Sequence, residues 1–327
     1  SMPTASFSAK PALASKLYSD STRDTTDIGL GLSANYKTET SIFQFATDTQ
    51  RDSSYTSELT TTGYLDKKVR RKSDQYSPSL TYIIDPLSSI SFSHSFTDVD
   101  YANGISAELF DYEYTNNTIS YNRLTDSLGT IGISLADVSQ EVSLLQSVYD
   151  TKILQVGLSD DYSQTISYSA NIGLRRYKTS VGYANYYSSD NGWVMDLAAS
   201  KRFVQSSLNL SAAREVTPSG GGYMILRNQL NLDYKYQLTE HITANFYGTA
   251  LKNTRETENQ ELHRYYGNAD FGITYNFAPD WNISFSYQHR KNHSEEGVPG
   301  KDNVVMFKVS YSGPKTPIKN YGKKTDF

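Results

Sequence analysis

The sequence predicts an all-β protein: a closed antiparallel transmembrane β-barrel of about sixteen strands, within a range of roughly 14 to 18, with short periplasmic turns and longer extracellular loops. Three observations predict it. Apolar and polar residues alternate strictly over long segments, as they do in a strand whose two faces meet different surroundings. Short polar turns alternate with longer, more charged links along the whole chain. The composition is too polar for a large soluble core and too aromatic for disorder: 37% of the 327 residues are hydrophobic, yet 27 are Tyr, 13 Phe and 2 Trp, alongside 43 Ser and 30 Thr.

The first segment falls at 9–19, after a tail at 1–8 whose Ser1 and Met2 read as an expression remnant; any export signal is expected to have been cut away. At 27–37, Ile28, Leu30, Leu32, Ala34 and Tyr36 share one face, and Gly29, Gly31, Ser33 and Asn35 the other. A turn at 37–40 leads into 40–50. Segment 73–85 alternates Tyr76, Pro78, Leu80, Tyr82 and Ile84 with Ser77, Ser79, Thr81 and Ile83, and turns at 85–88 into 88–97. Segments 109–123 and 127–138 flank a turn at 124–126, and 151–160 and 164–175 flank one at 160–163. Segments 191–202 and 204–215 meet at 201–203, 223–237 and 241–252 at 238–240, and 262–277 and 281–292 at 278–280; 303–312 completes the barrel before a periplasmic tail at 313–327. The longer links are 20–26, 51–72, 98–108, 139–150, 176–190, 216–222, 253–261 and 293–301. Residues 55–66 alternate weakly and are placed in the loop, because the following Lys67, Lys68, Arg70, Arg71 and Lys72 tolerate water or a lumen but not hydrocarbon.

Strands of this length exceed the five or six residues, roughly, of soluble sandwiches and match the about nine to eleven that cross a bilayer at a tilt. A soluble sandwich or propeller is therefore the weaker reading. The apolar face also ends repeatedly in Tyr, Phe or Trp, as interfacial girdles do. No apolar run approaches the about 18 residues of a transmembrane helix. A net charge of −4 with interspersed signs leaves no basic stripe for nucleic acid, and zero cysteines remove disulfides and thiolate metal sites. No cofactor is expected.

Placing the apolar face against outer-membrane lipid makes the other face a lumen. Ser207, Asn209, Ser211, Thr243, Asn245, Tyr247, Thr249, Asn282, Ser284, Ser286 and Gln288 line it with neutral hydrogen-bonding groups, and Asp196, Arg227, Asp233, Lys235 and Asp270 add charges of mixed sign. These charges, with Tyr247, are the substrate-binding candidates. Sixteen strands leave an aqueous interior. Such a wall suits sugar, whose hydroxyls take many modest hydrogen bonds and whose faces stack on aromatic rings, and equally suits a wall that merely stays wet. Loop 51–72 is long enough to fold inward as a lid. Its basic residues, with Arg51, would then meet Asp196, Asp233 or Asp270; an outward loop would leave them solvated.

Catalysis finds no support. His94 sits among Ser91, Ser93 and Ser95, but adjacent strand residues point to opposite faces, so it does not readily activate Ser95. His289 and His293 lie near Glu295 and Glu296 without a ligand spacing, and the glycines at 220–222 follow Pro218 as a hairpin loop rather than a phosphate cradle. The predicted function is a porin-like channel; a non-conducting structural or adhesive barrel is the alternative.

Three stretches, RKSDQYSPSLTY at 71–82, FTDVDY at 96–101 and REVTPSG at 214–220, carry a resemblance. The chain resembles outer-membrane β-barrel proteins of exopolysaccharide and exosortase-linked gene systems. The resemblance implies the outer membrane of a Gram-negative bacterium and a part in polysaccharide export. The chain has no helical repeats, so a periplasmic export component is expected to be a separate partner.

Overall fold

A computed structural model of the protein describes residues 3–16, 24–54, 57–58, 68–125, 129–182, 186–256, 261–294 and 300–311. They form one antiparallel sheet of sixteen strands in sequence order, each hydrogen-bonded to its neighbours in the chain. The strands are β1 (Thr4–Lys16), β2 (Thr25–Lys37), β3 (Ser41–Ser53), β4 (Arg70–Asp85), β5 (Ser88–Tyr101), β6 (Tyr112–Thr125), β7 (Gly129–Val142), β8 (Ser147–Ser163), β9 (Ile166–Val181), β10 (Tyr186–Arg202), β11 (Ser206–Ser219), β12 (Tyr223–Gln237), β13 (Ile242–Glu256), β14 (Glu261–Ala278), β15 (Trp281–Ser294) and β16 (Gly300–Tyr311). At 12 to 18 residues they are two to three times the usual globular strand.

Each strand turns its alternating apolar residues to one side. Leu30, Leu80, Phe92, Ile119, Leu135, Leu154, Leu174 and Trp193 are all exposed there, which in water would be a large unfavourable surface and against lipid is the favourable one. The other side is concave: inward residues of β7 and β8 touch β11 and β12, strands far away in the sheet order. Both prolines inside early strands sit where a missing N–H is tolerated. Pro11 lies in the edge strand β1, and the β4–β5 ladder skips the pairs at Ser77 and Pro78.

Three expectations change. Closure would pair β1 with β16; among the described residues the sheet ends at these two strands without a ladder between them. The tail at 1–8 gives way to strand from Thr4 onward, because Thr4 to Ser8 pair with Lys37 to Ser33 of β2. Most of the expected long loops are largely strand. Residues 98–101, 139–142, 147–150, 176–181, 186–190, 216–219 and 253–256 continue the ladders, leaving tight connections at 143–146 and 220–222, while 183–185 and 257–260 lie outside the described residues. Backbone pairing does not need an apolar face, so the strands run on after the hydrophobic alternation has stopped. Residues 102–111 remain as a longer connection, whereas 55–56 and 59–67, which hold most of the expected loop 51–72 and its Lys67, and the tail from 312 onward lie outside the described residues.

Candidate functional site

The inner face has two regions. On the first, the wall, pairing registers place side chains in lateral rows. Asn209, Asp233, Tyr247, Asp270 and Gln288 form one row across β11–β15, and Ser211, Asn231, Thr249, Asn268 and Arg290 the next. Hydrogen bonds knit these rows: Asn231 donates to Ser211 (3.1 Å) and accepts from Gln229 and Thr249 (both 2.9 Å), and the Thr249 and Tyr247 hydroxyls lie 2.7 Å apart. Ser167 and Ser200 pair at 2.7 Å. A groove of ≈ 720 Å³ runs along this wall, bordered by Ser169, Ser200, Asn209, Asn231, Asp233 and Tyr247. Its side chains offer both donors and acceptors, so a neutral polyhydroxylated solute finds partners of either kind.

The candidates from sequence separate here. Asp233, Tyr247 and Asp270 come together on one row. Lys235 holds Asp233 at 3.6 Å. Asp196 faces inward between Asn171 and Ala213, away from the groove. Arg227 lies nearer the other end of β12 and is bound by Glu215 at 2.6 Å, a partner that the sequence did not single out although it stands directly opposite in register.

The second region is a cap. At the ends of β5–β9 and β12 and in the connection between β5 and β6, Val99, Tyr101, Leu109, Tyr112, Val138, Val142, Tyr149, Tyr177, Tyr223, Met224 and Ile225 are buried in one cluster. Its middle is connection 102–111, a one-turn 3-10 helix at Gly104–Ala107 between Asn103 and Glu108, both in the left-handed region. Tyr101 N–H donates to Asp111 (2.6 Å) and fixes the base of this turn. The tip crosses the concave face: Phe110 N–H donates to the Gly220 carbonyl (2.7 Å), and Gln140 donates to that of Ser219 (3.2 Å). Gly220 has to be glycine, because a Cβ there would run into the Tyr101 ring; Gly222, at φ +77°, closes the tight 220–222 turn. Tyr223 accepts from Arg264 (3.1 Å) and carries the Arg255 guanidinium 4.1 Å above its ring.

Loop 51–72 joins this cap through an acid rather than its bases. Glu58, 3% exposed, accepts the Tyr101 hydroxyl, and Ser54 accepts the Val69 N–H at 3.0 Å. The cationic run is divided by strand alternation. Arg71 points inward and pairs with Asp52 at 3.2 Å, whereas Lys72 points outward to Asp74 (2.6 Å) and Asp100 (3.8 Å). Lys68 and Arg70 are exposed, with Lys68 donating to the Asp24 carbonyl. None of these described bases pairs with Asp196, Asp233 or Asp270: the inward acid of Arg71 is Asp52, on the neighbouring strand. His94 faces outward and is bound to Asn117 at 2.7 Å, so its ring serves no serine; His289 is likewise bound to Asn303 at 2.8 Å. Among the described residues no group of three acids or histidines is placed to hold a metal.

The sheet is similar to those of solved β-barrel receptors. The copper transporter OprC superposes with a TM-score of 0.52 at 8% identity, over 95% of this chain and 63% of that one. A mutant of the ferric enterobactin receptor PfeA from Pseudomonas aeruginosa gives 0.51 at 7% identity, over 94% and 73%. The alcaligin outer-membrane receptor FauA from Bordetella pertussis gives 0.49 at 13%, over 94% and 59%. At these identities the likeness is one of fold alone. The chain spans about three fifths of the length of OprC and FauA. No protein-family model and no curated protein matches its sequence.

Proposed function

We propose that the protein is an outer-membrane channel whose sheet closes into a barrel and whose inner wall passes a neutral, hydroxyl-rich solute, a polysaccharide by its chemistry, with the cap as a closed gate at the long-loop end. The observation that carries this reading is the groove along β8–β13. A wall of amides and hydroxyls with Tyr168 and Tyr247 beside it matches a ligand that needs many modest hydrogen bonds; of its three acids, Asp233 is held by Lys235, and Asp160 and Asp161 stand at the short-turn end of β8. Outer-membrane location is supported by the exposed apolar face and by the fold shared with OprC and PfeA, proteins of copper transport and ferric enterobactin reception by their own descriptions. A separate periplasmic component would deliver the polymer to the short-turn mouth.

One observation favours a second reading. The cap is dry and its buried residues are drawn from six strands and their connections, which is the construction of a permanent plug, so a non-conducting structural or adhesive barrel is the competing function. Efflux of trapped neutral oligosaccharide from vesicles separates the two. A gated channel releases it when the cap is disrupted by Leu109→Asp with Ile225→Asp; a structural barrel retains it in both forms.

A further inference from the structure

We propose that the outer wall carries a binding groove for a phosphate-bearing membrane lipid at β5–β10, an inference that rests on the membrane reading above. Two adjacent registers meet here. Phe92, Ile119, Leu135, Leu154 and Leu174 form an apolar row across β5–β9, and the next residues toward the long-loop end form a polar row: His94, Asn117, Asp137, Lys152 and Arg176. The change from apolar to polar therefore occurs at the same register on four consecutive strands, β6–β9, as it does where hydrocarbon ends and headgroups begin, while on β5 His94 is followed on the same face by Phe96.

The boundary is concave. A groove of ≈ 600 Å³ is floored by the apolar row and rimmed by Asp137, Lys152 and Arg176. Arg176 is exposed and has no hydrogen bond or ion pair among the described residues. Lys152 has one loose ion pair, to Asp137 at 3.7 Å, with both side chains more than half exposed. The next cations around the outer face are held instead. Arg214 lies 4.4 Å above the Trp193 ring and donates to Asn228 at 2.9 Å, and Lys252 lies 5.8 Å from the Tyr265 ring. An acyl chain on the leucine floor carries its headgroup to the level of Lys152 and Arg176. There a phosphate accepts charge-assisted hydrogen bonds from the guanidinium, with the ammonium as a second point charge. A headgroup without phosphate gains neither contact.

The test uses the full chain in neutral detergent micelles containing equal amounts of diphosphoryl lipid A and a phosphate-free galactosyl diacylglycerol, with the retained lipid read by native mass spectrometry. Lipid A is expected to be retained in preference, and Lys152→Gln with Arg176→Gln to lower that preference about tenfold. Asp137→Asn is expected to raise it, and Arg123→Gln, at the short-turn end, to leave it unchanged. Equal retention of the two lipids, or a preference indifferent to the double substitution, overturns the proposal, as does complete displacement by inorganic phosphate, which would indicate an anion site without a lipid seat. Insertion into phosphatidylcholine vesicles is measured in parallel. Insertion without lipid A preference defeats the groove alone, whereas failure to insert defeats the membrane reading and the groove with it.

Discussion

The cap and the wall are built from the same face of the same strands. On β8, Tyr149 and Thr151 are buried in or against the cap, while Ser159, further along the same face, borders the groove. On β12, Tyr223 and Ile225 are packed, Arg227 sits in an ion pair, and Asn231 and Asp233 line the groove. Position in the pleat decides direction only. Whether an inward side chain ends dry or wet is decided by what crosses the concave side, and the crossing pieces are 102–111 and the turn at 220–222. Tyrosine serves both regions: packed in the cap at Tyr101 and Tyr112, hydrogen-bonded and half open at Tyr247 on the wall.

The largest expected break of this contrast is Leu109→Asp with Ile225→Asp. Each carboxylate would be unpaired inside the cap, a penalty of about 3 kcal/mol or more for a buried charge, whereas Ser169→Asp and Ser211→Asp on the wall should be nearly neutral in urea unfolding from micelles. Next comes the contrast of outer and inner faces. Ile172→Arg, on the outward face of β9, is expected to cost about 2–4 kcal/mol at mid-membrane depth, and Ser169→Arg, three residues away on the inward face, much less; equal losses would mean that the faces are wrongly assigned. Glu58→Ala or Tyr101→Phe removes one partner of a buried hydrogen bond, for about 1–3 kcal/mol, and the effect should appear as more frequent opening in current traces. Smallest is the wall itself. Asp233→Asn with Tyr247→Ala should change stability by only about 0.5 kcal/mol, while weakening block by a neutral oligosaccharide several-fold.

The strands were legible where lipid was expected on one side. At Ile28, Leu30 and Leu32, or Phe271, Ile273 and Tyr275, alternation marks strand, face and direction together. Beyond the outward apolar band the cue disappears: Asp150 and Lys178 are ladder residues whose outward neighbours are polar, so they read as loop. The lateral row of Asp233, Tyr247 and Asp270 was visible as three inward residues but not as neighbours, because register depends on turn length and bulges such as the one between Asn276 and Ala278. The cap was not legible. Tyr223 lies more than a hundred residues from Tyr101 and Leu109, and the three carry no shared period; the available signal was the apolar run from Tyr223 to Leu226 against a glycine turn. The inward part of loop 51–72 was sought in its lysines and arginines. The residue that enters the cap is Glu58, whose charge a linear reading discounts beside six bases.

The central claim is that a polar lumen runs behind a closed cap, and single-channel recording in planar bilayers tests it most directly. The wild type is expected to stay closed with rare openings. The Leu109→Asp, Ile225→Asp pair should conduct steadily, the open fraction rising by more than about a hundredfold, since either substitution alone weakens the cap by about 3 kcal/mol, and added neutral oligosaccharide should interrupt that current. A cap variant that is folded and inserted yet silent would contradict the claim.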